Sequence, residues 1–266
     1  MTAPSQFSAE PGHASLPMYD WPEVASAWGG LWRLIRDSLI SSGIPVEQDL
    51  RRPADMSAQW RDASMILSQT CGWPFVSALR EVVIPFGRFD FALAGQPGDY
   101  HSVFITQEEE SPARLLADQS GRIAVNSTDS QSGFRVLSEI ASGPCILGPE
   151  RVLLTGSHRA SIQAVADGLA DLAAIDAVSW RLAQLYEPAA QQVFVAGRSM
   201  PVPGLPLITS QSHERLCDLL FQTVSAAVDG LSAEEREVLG LAGFVSAADE
   251  DYRVLLELPF GQVSAA

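Results

Sequence analysis

The chain has no lysine, so all 17 of its fixed positive charges are arginine. Without lysine there is no P-loop lysine to meet a nucleotide phosphate, no Schiff base to a carbonyl or pyridoxal cofactor, and no Ser/Lys nucleophile pair. Nucleotide hydrolysis and pyridoxal chemistry are excluded on that ground. Cysteine is scarce as well. Cys71, Cys145 and Cys217 stand far apart with no CxxC pair, which points to neither a zinc site nor a disulfide framework, and the odd number favours a reducing compartment. No metal and no cofactor are expected. No segment holds 18 uninterrupted apolar residues, and residues 1–21 lack the basic start and apolar run of an export signal. The expectation is a cytoplasmic chain as written, periplasmic if a native signal has been removed.

What is present is a sizeable apolar fraction. Hydrophobic residues make up 47% of the 266 positions, charged residues only 18%, and six tryptophans are included, enough for a packed interior. The net charge of −15 would repel a phosphodiester backbone or an anionic membrane face, so nucleic acid is not an expected partner.

Apolar periodicity gives the organisation. After a polar lead, ASLPMYD reads as a short strand, and Pro22 opens a helix whose face is Val24, Ala27, Trp28, Leu31, Leu34, Ile35 and Leu39 until Gly43 and Pro45 end it. A helical turn over 54–60 precedes the strand-length run SMILSQT, and Pro74 stands at a first helical position. EVVIPFGRF and YHSVFIT are strand-like. From Pro112 strands and helices alternate through RIAV, RVLLT and LAAI. QQVFVAGRS and LPLITS then return, and the remainder from Ser212 reads as helix. Alternation at this density predicts two α/β lobes, each a mostly parallel sheet flanked by helices.

In open α/β sheets ligands meet the turns beyond the carboxyl ends of strands, where helix N-termini present free N–H groups. Here those turns are LSQTCG (67–72), STDSQSG (127–133), TGSHRAS (155–161) and AIDAVS (174–179). Three of the four are rich in hydroxyls and small residues, which suits an oxyanion, since each hydroxyl or amide donates one hydrogen bond without a bulky counter-charge. Ser and Thr are equally the favoured helix caps, so each loop alone is also explained by capping. His158, directly after Ser157 at a helix start, is the best single candidate for an anion contact, with capping as its alternative. Asp176 either caps the next helix or meets a cationic group on a ligand. Tyr19 and Tyr100 each offer a face and a hydroxyl, or plain packing. Cys71 with His158 could be read as a thiol nucleophile and base, but there is no G-x-S-x-G elbow and no third orienting residue, so no catalytic residues are assigned.

These segments carry a resemblance. TGSHRASIQAVADGLADLAAIDAVSW is similar to the strand–GSH–helix segment of the phosphonate/phosphate-binding family of periplasmic solute-binding proteins that serve ABC importers. STDSQSGF resembles that family's serine-rich loop ending in Gly and an aromatic residue. GDYHSVFIT resembles its Tyr-x-Ser crossover strand, and with LSQTCGWPF the likeness spans about residues 14–210.

The resemblance implies a two-lobed type II periplasmic-binding fold, with lobe 1 over residues 14–102 and 205–266, lobe 2 over 103–204, and a polar lead over 1–13. Two hinge strands, at roughly 103–107 and 197–209, would allow closure over a ligand held in a cleft. It implies a receptor for a phosphonate, phosphate or organophosphate, with ABC importer membrane subunits as partners and no chemistry of its own. Ser130, Gln131, Ser132 and His158 would hold the oxyanion, with Ser68, Gln69, Thr70 and Ser157 contributing from neighbouring turns. Tyr19 and Tyr100 would line the site, and Asp176 would meet the rest of the ligand. Gln131 stands where the family commonly has a second hydroxyl residue. The alternative is a cytoplasmic enzyme on the same fold acting on a small carboxylated substrate, similar to enzymes of the alternative menaquinone route.

Overall fold

The computed structural model describes residues 10–118, 121–141, 145–258 and 261–263. Packing divides the chain into two compact units. Of the described residues, the first takes 10–70, 75–92 and 205–251, and the second takes 71–74 and those within 93–204 and 252–263.

The first unit is built on a five-stranded sheet in the order His13–Ala14, Met65–Gln69, Pro206–Ser210, Val83–Asp90, Gly243–Val245. Only the first pair is parallel; the other pairings are antiparallel. The helix Ala25–Ser41 buries Trp28, Leu31, Trp32, Ile35 and Leu39, so its inward face is the expected one except at Leu34, which is 41% exposed. Gly43 takes a left-handed φ of 81° just beyond the helix end, a conformation that favours glycine and stops the run. Trp28 packs on Phe89 at 5.4 Å between ring centroids, seating the helix on the sheet.

The second unit has its own five-stranded sheet, ordered Phe194–Arg198, Ser102–Thr106, Leu172–Asp176, Ile123–Val125, Val152–Leu154. Its core includes Phe104, Ile123, Val125, Phe134, Leu137 and Leu172, all nearly or fully buried. The strands 123–125, 152–154 and 172–176 run parallel, while 102–106 and 194–198 run antiparallel to their neighbours.

Both sheets are therefore mixed rather than mostly parallel. In the first sheet 83–90 and 206–210, and in the second 102–106, run antiparallel to both of their neighbours. The units also divide the chain differently from the expected lobes. Residues 93–102 pack with the second unit because Asp99–Tyr100 pairs with Val202–Pro203 and Ser102 begins a strand of its sheet. Residues from 252 onward do so too: Tyr252 is fully buried and donates its hydroxyl to the Gly204 carbonyl at 2.9 Å, and Gly261–Val263 pairs with Cys145–Leu147. The expected hinge segment 103–107 falls inside the second unit, where 102–106 is paired on both sides, and the chain passes between units at 70–71, 74–75, 92–93, 204–205 and 251–252. The strand Gly243–Val245 was hidden in a stretch that reads as helix throughout.

Candidate functional site

The second unit gathers most of the candidate residues at one edge of its sheet. Because 123–125, 152–154 and 172–176 are parallel, their carboxyl ends share that edge. Ser102 lies opposite Asp176 in an antiparallel pair, which brings Tyr100 and Ser102 to the same place.

The serine-rich loop is held there by its own sequence. Phe134 is 1% exposed in the core, and burying such a ring contributes about 2–3 kcal/mol. Ser130 accepts the Gly133 amide at 2.9 Å, and the turn Gln131–Arg135 is wound wide, with the amides of Arg135 and Val136 reaching the carbonyls five residues back. The first amides of such a turn have no partner within it. The Ser132 backbone is fixed by the Ser102 hydroxyl, which donates to its carbonyl at 2.9 Å. Gly133 is required by what packs on it: a Cβ there would lie 1.8 Å from Asn126 Oδ1 and 3.1 Å from His158 Cε1.

His158 begins the helix His158–Ala166, and its Nε2 lies 3.0 Å from Ser132 Oγ. Although the residue is only partly buried, its Nδ1 is cut off from solvent beside the Ala174 carbonyl without a well-formed hydrogen bond. Desolvation pushes its pKa down to about 4, only partly offset by that carbonyl. The ring is neutral at pH 7, and Nε2 shares a hydrogen bond with the Ser132 hydroxyl whose direction follows the ring tautomer. No carboxylate orients Nδ1, so the pair lacks the third member of a Ser-His-acid triad.

Cys71 belongs to the same cluster. Burial above all pushes its thiol pKa up, with Asp176 adding to the rise and the nearby backbone N–H groups of Gln131, Trp73 and Ser132 opposing it. A protonated thiol, with His158 engaged by Ser132, is not an activated nucleophile. Tyr100 is 3% exposed, and its hydroxyl faces Cys71, Asp176 and Ser132 without a well-formed hydrogen bond; burial and those neighbours raise its pKa well above the usual value.

The remaining candidates divide. Asp176 is buried and caps the helix Ala177–Tyr186, its Oδ1 accepting the Val178 and Ser179 amides at 2.8 and 3.1 Å. Ser157 is exposed and caps its helix through the Ala160 amide. In the first unit, Ser68 is fully buried, bonded to Ser15 Oγ at 2.8 Å and to Trp60 Nε1 at 3.2 Å, so its hydroxyl is spent on the interior. Gln69 and Thr70 end the strand Met65–Gln69, and Gln69 Oε1 is buried without a hydrogen bond. Tyr19 is buried edge-on against Phe91 at 5.4 Å. None of the candidates lines the 730 Å³ concavity of the first unit, whose walls include the ion pair of Arg80 and Asp249.

Arg135 escaped the sequence reading. It sits in the wide turn itself, 8% exposed, with its guanidinium carbon 3.1 Å from the centroid of the Trp73 ring. Desolvation lowers its pKa to about 10, which leaves it cationic at neutral pH. Nothing in the spacing marks it, because Trp73 lies 62 residues away in sequence. Among the described residues no helix is long and apolar enough to cross a membrane, and no group of His, Cys, Asp and Glu could hold a metal ion.

Residues 14–252 match the family described as ABC transporter, phosphonate, periplasmic substrate-binding protein. A binding-protein component of an ABC phosphonate transporter from Pseudomonas aeruginosa is 20% identical, with a TM-score of 0.69 over 94% of this chain and 85% of that one. PhnD1 from Prochlorococcus marinus, solved with methylphosphonate, is 14% identical with a TM-score of 0.68 over 92% and 96%. A Xanthomonas citri protein solved with ATP is 16% identical with a TM-score of 0.67 over 94% and 96%. Among curated proteins none is significantly similar in sequence. The family is a periplasmic substrate-binding component and not an enzyme, which decides against the carboxylate-enzyme alternative. The chain belongs to the phosphonate family of ABC-transporter periplasmic substrate-binding proteins.

Proposed function

We propose that this protein captures a small tetrahedral oxyanion of the phosphonate, phosphate or organophosphate class. The anion would be held in the second unit by the amides of Gln131 and Ser132, the hydroxyls of Ser130 and Ser132, and His158. Tyr100 and Asp176 would face the rest of the ligand. Ser157 stays in the proposal, since capping takes only a lone pair of its hydroxyl, whereas Ser68 drops out because its hydroxyl already serves the interior.

One observation carries the reading: Ser132, at the start of the wide turn, and a neutral His158 meet at the carboxyl edge of one sheet. Hydrogen bonds to a charged group contribute about 1.5–3 kcal/mol each, so four or five offset the several kcal/mol cost of association and leave micromolar to nanomolar affinity. Titration calorimetry with methylphosphonate, phosphate, methylsulfonate and acetate tests it. Binding of the phosphorus oxyanions in preference to acetate is expected, and heat from none of the tetrahedral anions would sink the proposal. We place the protein in the periplasm, delivering its ligand to the membrane subunits of an importer, as the family description supports.

A further inference from the structure

The stretch that carries Tyr100 and Ser102 is held on one side by the pairing of Ser102 with Asp176 and by the Ala177 amide, which donates to the His101 carbonyl at 3.0 Å. On its other side runs the segment 198–203, and there the ladder slips by one residue. Arg198 lies opposite Val103 and Val202 opposite Tyr100. Between them Ser199 meets Ser102 twice: its N–H donates to the Ser102 carbonyl at 2.9 Å, and its hydroxyl accepts the Ser102 N–H at 2.9 Å. Met200 and Pro201 together therefore stand opposite His101 alone. Such a bulge leaves a residue out of the ladder, and Pro201 has no N–H to place. The Met200 N–H goes instead to Glu139, whose Oε2 accepts it at 2.9 Å from 61 positions away in the chain. The Met200 side chain is 72% exposed, so packing does little to hold the bulge. What holds it is that carboxylate, with the Ser199 hydroxyl donating to the Met200 carbonyl at 3.0 Å.

We infer that Glu139 is a positioning residue of the anion site: by closing the bulge it holds Ser199, and through Ser199 it holds Ser102, whose hydroxyl fixes the Ser132 backbone. The inference rests on the oxyanion reading above and adds to it a residue that does not touch the ligand. Glu139 stands on the helix Leu137–Ile140, just beyond the wide turn Gln131–Arg135. The turn and its helix are thus braced against the paired segments 99–102 and 199–203 at two points, by the Ser102 hydroxyl on the Ser132 carbonyl and by Glu139 on the Met200 amide. A single hydrogen bond lets the turn pivot about it, whereas two bonds to different elements set its orientation. Groups that grip a ligand have to be held to within about 0.5 Å by such supporting bonds.

Rescue by the conservative variant separates this role from simple loss of a surface charge. Glu139→Ala should weaken methylphosphonate about three- to tenfold in titration calorimetry, whereas Glu139→Gln, whose Oε1 can still accept the Met200 N–H, should stay within about twofold of native. Ser199→Ala, which removes the acceptor for the Ser102 N–H, should weaken binding to a similar degree. The double variant Glu139→Ala/Ser199→Ala should be within about twofold of the weaker single variant, because both changes act through one segment. A readout without ligand accompanies them: in hydrogen–deuterium exchange of the empty protein, the peptide over 198–203 should exchange faster in Glu139→Ala and at the native rate in Glu139→Gln. Native affinity in Glu139→Ala or in Ser199→Ala, or equal weakening by the Ala and Gln replacements of Glu139, would overturn the positioning role and leave the oxyanion site standing. If the exchange changes as expected but neither the native protein nor any variant binds a tetrahedral anion, the ligand reading fails and the role of Glu139 falls with it.

Discussion

Replacing His158 by glutamine should make the protein less sensitive to acid, although it removes a ring from a packed site. Glutamine keeps an amide that can reach Ser132 but cannot take up a proton. The native ring has a pKa of about 4, set by desolvation, against about 6.5 in an unfolded chain. Since the folded value is the lower one, protonation favours unfolding. The stability tied to the neutral ring is whole above pH 6.5 and is lost as pH falls from there toward 4. Between pH 7.5 and 5.0 that linkage amounts to about 2 kcal/mol. His13 and His101 are also held below their usual values by burial and add losses of the same sign, so the comparison must be between native protein and variant rather than between two pH values alone. The assay is urea unfolding followed by tryptophan fluorescence at pH 7.5 and 5.0, with free energies taken from the linear extrapolation. The variant starts lower at pH 7.5 because of lost packing, and then loses about 2 kcal/mol less than the native protein on acidification. Equal losses, within about 0.5 kcal/mol, would show that the folded imidazole takes up a proton as readily as the unfolded one, and the neutral imidazole at Ser132 would have to be abandoned.

Ser132→Ala and His158→Ala should each weaken methylphosphonate binding tenfold or more by calorimetry, as expected for loss of a hydrogen bond to a charged group; unchanged affinity in both would move the anion site elsewhere. Gly133→Ala should fold, because the Asn126 amide that its Cβ would strike is the movable end of a side chain. It should bind ligand more weakly, because the remaining contact, 3.1 Å to His158 Cε1, displaces the ring. Native affinity in Gly133→Ala would show that the ring position does not matter. Expressed from its complete native gene, the protein should appear in the osmotic-shock fraction of the cells, and retention with cytoplasmic markers would count against a periplasmic receptor.

The architecture was legible where periodicity and loop chemistry coincide. RIAV, RVLLT and LAAI are short apolar runs followed by Asn126, Gly156 and Asp176, and each is a strand whose carboxyl end leads to a candidate loop at one edge. The same signal could not separate a ligand hydroxyl from a cap. Ser157 and Asp176 both cap helices, and Ser68, whose place at a strand end looked equivalent, is turned inward to Ser15 and Trp60. Strand direction was not legible, since an apolar five-residue run such as PLITS reads alike in a parallel or an antiparallel neighbourhood. Nor was the tail, because the burial of Tyr252 depends on a carbonyl 48 residues earlier.

The charge argument changes most. A net charge of −15 without a lysine suggests a molecule poorly disposed to anions, yet charges beyond about 8–10 Å are largely screened in physiological salt, so the net sign governs encounter more than affinity. What acts at short range is the second unit's own composition: helix-start amides, two serine hydroxyls and a neutral imidazole, with Arg135 in the same turn against Trp73. Arginine suits that place where lysine would not. Its delocalised, weakly hydrated cation can lie flat on an indole and stay charged when desolvated, whereas a buried ammonium loses its proton far more readily. The wide turn Gln131–Arg135 thus presents its first amides at the sheet edge while carrying a buried cation at its last residue, and the two together favour an anion at the turn's N-terminal end.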